Sequence, residues 1–144
     1  MTLDELAKHA VALPGWRWMP GMAAGGPGYN HTARIIDVDH GTPCLPDCWE
    51  YKGYIRGRER ADDWWDGALP DFTDAATTGC LLALVREAMG WPDAYACHDD
   101  SGWFVSSGVG PWETQDEASP NGYERYPTEI EALVAALEAA PVTP

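Results

Sequence analysis

The chain has 144 residues, 45% of them apolar, with 9 Lys and Arg against 23 Asp and Glu and a formal net charge of −14. That length and apolar content suit one folded domain, residues 1–144, and argue against a disordered tail. No apolar run approaches the ~18 residues of a membrane helix. The acidic opening Met1-Thr2-Leu3-Asp4-Glu5 is unlike a secretory signal, and the negative charge opposes binding to phosphate backbones. Neither a membrane nor direct nucleic acid is therefore an expected partner, and a cytoplasmic setting is expected.

The first predicted helix opens at Thr2. Thr2 and Glu5 have capping-box spacing, in which a hydroxyl and a carboxylate each satisfy a backbone N–H that the helix leaves open. Leu3, Leu6, Ala7, Ala10 and Leu13 then share one face, and Pro14-Gly15 ends the segment. Trp16 and Trp18 alternate across Arg17 and predict a short strand. Residues 33–38, with Ile35, Ile36 and Val38, predict a second strand, with residues 51–56 as its partner.

The strongest helical signal covers residues 75–89, apolar on nearly every side, with Cys80 expected in the core. Asp71 is the expected N-cap, and Asp74 follows three residues later, near the positive end of the helix. Gly90 and Pro92 mark the stop. Residues 94–98 and 103–107 predict a hairpin around the four residues Asp99, Asp100, Ser101 and Gly102. A third helix starts at Thr128, whose spacing to Glu131 repeats the capping box, and stops at Pro141. Ile130, Leu133, Val134 and Leu137 form its apolar stripe, with Glu131 and Glu138 on the outer side. The order of these elements predicts an α+β domain of about three helices on a small, mainly antiparallel sheet, with the central helix lying across it.

Residues 70–90, which include Asp71, Phe72, Asp74, Cys80, Leu81, Leu84 and Val85, resemble a segment of small uncharacterised bacteriophage and prophage proteins. Residues 126–140 are similar to the C-terminal helix of those proteins. The resemblance rests on helix-core residues and brings no catalytic residue with it. It implies a shared fold and an accessory role in a host cell. Proteins of that kind often inhibit host machinery or defence.

Chemistry is sought in three constellations. His40, Cys44 and Cys48 with either Cys97 or His98 are the residue types of a structural zinc site, with ordinary reduced thiols or a Cys44–Cys48 disulfide as alternatives. Asp37, Asp39 and His40 stand at a predicted strand end, where two carboxylates one residue apart share a face suited to a divalent ion or to acid–base work. Trp49, Trp64 and Trp65 lie in loops beside Asp62, Asp63 and Asp66, and indoles within an acidic rim have the composition of a binding hot spot. The alternative for those tryptophans is loop anchoring.

No nucleophile elbow, phosphate loop or dinucleotide fingerprint is present. The expected function is a non-catalytic, acidic protein-binding module that blocks a host, phage or defence protein carrying a basic surface. A small metal-dependent enzyme built on Asp37, Asp39 and His40, or a self-associating structural protein, is the alternative.

Overall fold

The computed structural model describes residues 1–25, 33–35, 37–39, 42–45, 59–60, 69–108 and 124–141. The fold is α+β, with three helices and small antiparallel sheets among the described residues. In chain order the elements are α1 (Leu3–Val11), β1 (Ala23–Gly25), β2 (Ala33–Arg34), β3 (Asp37–Asp39), β4 (Thr42–Leu45), β5 (Glu59–Arg60) and β6 (Leu69–Pro70). These are followed by α2 (Ala75–Met89), β7 (Tyr95–Asp99), β8 (Gly102–Ser106) and α3 (Glu129–Ala139). The chain forms two compact units, residues 17–80 and residues 1–16 with 81–144, and the division falls inside α2 between Cys80 and Leu81.

In the unit of residues 17–80, β1 is the middle strand of one sheet, paired antiparallel with β2 and β6. A second sheet runs β3-β4-β5, with Asp37 opposite Cys44 and Asp39 opposite Thr42. The expected strand over residues 33–38 is therefore divided between two sheets. Just beyond β2, Ile35 stays beside the chain that leads into β1, donating its N–H to the Met22 carbonyl at 2.7 Å and accepting the Gly21 N–H at 2.8 Å, with its side chain buried. Met22, Ile35 and Phe72 are the large buried apolar residues among those described in this unit. The predicted strand partner at residues 51–56 lies outside the described residues.

The start of α2 is held from a distance. The Asp74 carboxylate accepts the Thr77 N–H and the Thr77 hydroxyl, each at 2.9 Å, so Asp74 is the N-cap. Asp71 accepts instead from the N–H and hydroxyl of Thr73, closing the turn before the helix. The expected cap thus moves by three residues, because Asp74 also meets the Arg34 guanidinium through two hydrogen bonds of 2.6 and 3.0 Å. Thr77, fully buried, accepts the Ala23 N–H at 2.8 Å and so ties the helix to β1. Only one side of α2 is fully covered, along Thr77, Leu81, Leu84 and Val85. Ala76 is exposed and Cys80 is half-buried, contrary to the expectation of an all-round apolar burial.

In the other unit, α1 closes its capping box in both directions. The Thr2 N–H donates to Glu5 Oε2 at 2.7 Å, and the Glu5 N–H donates to Thr2 Oγ1 at 3.1 Å. After α1 the chain turns through residues 12–15, and Gly15 lies so close to α3 that a Cβ there would come within 2.8 Å of Leu137 Cδ1. Trp16 and Trp18 are not in a strand.

Strands β7 and β8 form a hairpin whose register, Tyr95 opposite Ser106 through Asp99 opposite Gly102, leaves a two-residue turn of Asp100 and Ser101. Asp99 shortens the loop relative to the four residues expected, because its carboxylate accepts the Ser101 N–H at 2.8 Å. Helix α3, rather than the central helix, covers this hairpin and also packs on α1. Leu6, Phe104, Val105, Ile130, Leu133 and Leu137 are buried in this unit.

Candidate functional site

Residues Trp49, Asp62, Asp63, Trp64, Trp65 and Asp66, expected to form a binding surface, lie outside the described residues, as do His40 and Cys48 of the expected zinc set. Cys44 is placed by its backbone in β4, and Cys97 is a half-buried thiol opposite Phe104 in the hairpin. Asp37 and Asp39 are two residues apart in β3, as expected. Among the described residues, no group of three or more His, Cys, Asp and Glu is arranged to hold a metal. No helix among them is long and apolar enough to cross a membrane.

Among the described residues, an open cleft of about 230 Å³ lies between α1 and α3 in the unit of residues 1–16 and 81–144. Its apolar surface comes from Met1 and Leu6 on one side and from Pro127, Val134 and Ala135 on the other. His9, Tyr126, Glu131 and Glu138 supply its polar groups. The α3 contributors, at 131, 134, 135 and 138, follow the three- and four-residue spacing of one helical face.

Glu131 is the unusual member. Thr128 caps α3 by accepting the Glu131 N–H at 3.2 Å, but the Glu131 carboxylate does not return a bond to the Thr128 N–H. It turns toward the cleft instead, with Oε2 sealed from solvent and lacking a hydrogen-bond partner among the described residues. A carboxylate oxygen cut off from water without a donor has lost hydration without compensation. Glu131 was expected on the outer side. Its half-buried position follows from the packing of α1 against α3, which brings residues 1–9 over that turn.

The rim is polar and firmly held. His9 Nε2 and Glu138 Oε2 are 3.1 Å apart, spanning α1 and α3, with side chains 39% and 55% exposed. A pair so exposed adds little to stability, on the order of 0–1 kcal/mol, but it defines one end of the cleft. Tyr126, which also lines the cleft, is fixed by its backbone, which exchanges two hydrogen bonds of 2.8 and 2.9 Å with Trp103. Its hydroxyl donates to Glu124 Oε2 at 3.0 Å. Partial burial, the bond to Glu124 and the charges of Glu124 and Glu138 push the phenol up to about 12, so it remains a neutral donor.

Arg125 points the other way. Its guanidinium carbon sits 3.9 Å over the centre of the Phe104 ring, and Nε donates to Asp99 Oδ2 at 3.1 Å. This cation locks the chain entering α3 onto the hairpin.

The cleft was missed from the sequence because the Thr128–Glu131 spacing reads as a helix cap. The available signal was the alternation of acidic and small apolar residues at 131, 134, 135 and 138 on one face. Comparison with family models, curated protein sequences and solved structures finds no match to this chain.

Proposed function

We propose that the chain is an acidic protein-binding module that acts by occlusion, covering a basic surface of a host, phage or defence protein. The observation that carries this reading is the α1/α3 cleft, an apolar floor under a carboxylate rim, on a chain of net charge −14. Negative potential steers a basic partner into encounter, and the apolar floor supplies the area that holds it. The resemblance of residues 70–90 and 126–140 to small phage and prophage proteins supports a cytoplasmic setting in a host cell, where inhibitors of this kind act.

The test is capture by the immobilised chain from lysate of its source cell, with Ala135→Phe and Trp64→Ala as comparison baits. The expected result is one stoichiometric protein that is released by salt and lost from one of the two variants. Because surface charge attraction is screened within about 8–10 Å at physiological ionic strength, release by salt marks an electrostatic interface. Adding the chain to the captured protein should then block that protein's own contacts. A blank capture, or a partner that keeps its activity when bound, would overturn occlusion.

A further inference from the structure

The occupant of the cleft can be narrowed by size, shape and charge together. A volume of about 230 Å³ lies below the roughly 300–1,000 Å³ of pockets that enclose whole small ligands. It suits one long side chain inserted from a partner. The floor is aliphatic, through Leu6, Val134 and Ala135, whereas Glu131, Glu138 and the hydroxyl partner Glu124 make the surroundings acidic. An apolar stem ending in a cation matches both parts, since Lys and Arg lay their methylenes on apolar surface and keep the charged head among polar groups. The choice between them falls on arginine, because a planar guanidinium can meet a carboxylate oxygen and at the same time stack on an aromatic lining residue such as Tyr126, which an ammonium does not do. His9 is already engaged with Glu138, whereas Glu131 has no cationic partner among the described residues.

We infer that the α1/α3 cleft receives one arginine side chain of a basic protein partner, its stem against Leu6, Val134 and Ala135 and its guanidinium at Oε1 of Glu131, the oxygen of that carboxylate that is not sealed. This deepens the protein-binding reading and rests on it. The arginine supplies the counter-charge that the under-solvated carboxylate lacks. Rejection of a neutral side chain of the same shape follows, because that ligand would leave the carboxylate buried and still unpaired.

The experiment is an NMR titration of the full chain, following the methyl groups of Leu6, Val134 and Ala135. The probes are N-acetyl-arginine amide, N-acetyl-lysine amide and the neutral isostere N-acetyl-citrulline amide. Arginine amide should move those methyls and saturate. Citrulline amide should bind about tenfold more weakly or not at all, lysine amide should fall between, and Glu131→Gln should abolish the preference for arginine. Glu131→Gln keeps the side-chain shape and the Thr128 cap, and its amide spectrum reports whether the fold survives.

Equal shifts from arginine and citrulline amides, or an unchanged preference in Glu131→Gln, would overturn the inference. So would self-association driven by an arginine of a second copy in place of probe binding. A captured partner that binds Ala135→Phe as tightly as the parent chain would overturn the cleft assignment and leave the binding module standing. Arginine-selective binding with a blank capture would do the reverse.

Discussion

Arg34 and Asp74, 40 residues apart in the chain, meet side by side, with NH1 2.6 Å from one carboxylate oxygen and NH2 3.0 Å from the other. The guanidinium, together with the Thr77 N–H and hydroxyl, draws the Asp74 carboxyl down to about 2 from a usual 3.8. The folded state therefore holds that proton more weakly than the unfolded chain does. The stabilisation is complete above the unfolded value and fades as pH falls from about 4 toward 2. Asp74→Asn should lower the urea midpoint near neutral pH, by about 1–2 kcal/mol of stability. Its stability should then converge with that of the parent chain as pH approaches 2. Parallel pH curves would show that the pair contributes nothing.

The two capping-box sequences predict opposite responses to the same change. Glu5 returns a bond to Thr2, and that bond lowers its carboxyl below the usual range, so Glu5→Leu should lower stability. Glu131 returns no such bond and carries a sealed, unpartnered oxygen, so Glu131→Leu should raise stability by about 0.5–1 kcal/mol. Thermal unfolding of both variants checks this. A loss in Glu131→Leu equal to that in Glu5→Leu would make Glu131 an ordinary cap residue.

Two glycines separate strain from collision. Gly90 and Gly108 have φ of 68° and 73°, both in the left-handed region. A Cβ on Gly90 meets nothing within 4 Å, whereas one on Gly108 would fall on the Asp93 carbonyl. Gly90→Ala should therefore cost only the conformational strain, about 1 kcal/mol. Gly108→Ala should cost about 3 kcal/mol or more, because backbone must move. Denaturant midpoints of the two variants decide it, and similar losses would mean that the Gly108 turn relaxes freely.

Arg125 gives a fourth stability test. Its side chain is 10% exposed between the Phe104 face and Asp99. Arg125→Met keeps the stem over the ring but leaves Asp99, 44% exposed, to solvent. A loss of about 1–2 kcal/mol is expected, and Arg125→Lys should recover only part of it, since ammonium lacks the planar stack. Full recovery by lysine would reduce the contact to charge alone.

The helices were legible in the sequence because their signals are local. Thr2 and Glu5, Gly90 after Met89, and Thr128 before Ile130 bound α1, α2 and α3 closely. The sequence failed where a distant partner decides. Asp71 and Asp74 are equivalent as local caps until Arg34 arrives from β2. Ile35, Ile36 and Val38 read as one apolar strand, but Ile35 stays paired with Met22 beside β1 whereas residues 37–39 pair with β4. Asp99 looks like loop until its carboxylate takes the Ser101 N–H and tightens the turn. The cleft was illegible for the same reason, since α1 and α3 come from opposite ends of the chain and neither carries the concavity alone.

The buried Thr77 hydroxyl bears on the order in which the molecule assembles. It receives the Ala23 N–H across 54 residues of chain, and the same turn waits on Arg34 from 40 residues away. Closing such loops costs entropy before any bond offsets it. The first turn of α2 should therefore set after the rest of that helix, late in folding. Thr77→Val should then accelerate unfolding in a chevron measurement and leave the refolding arm where it was, whereas a slowed refolding arm would place this junction in the nucleus.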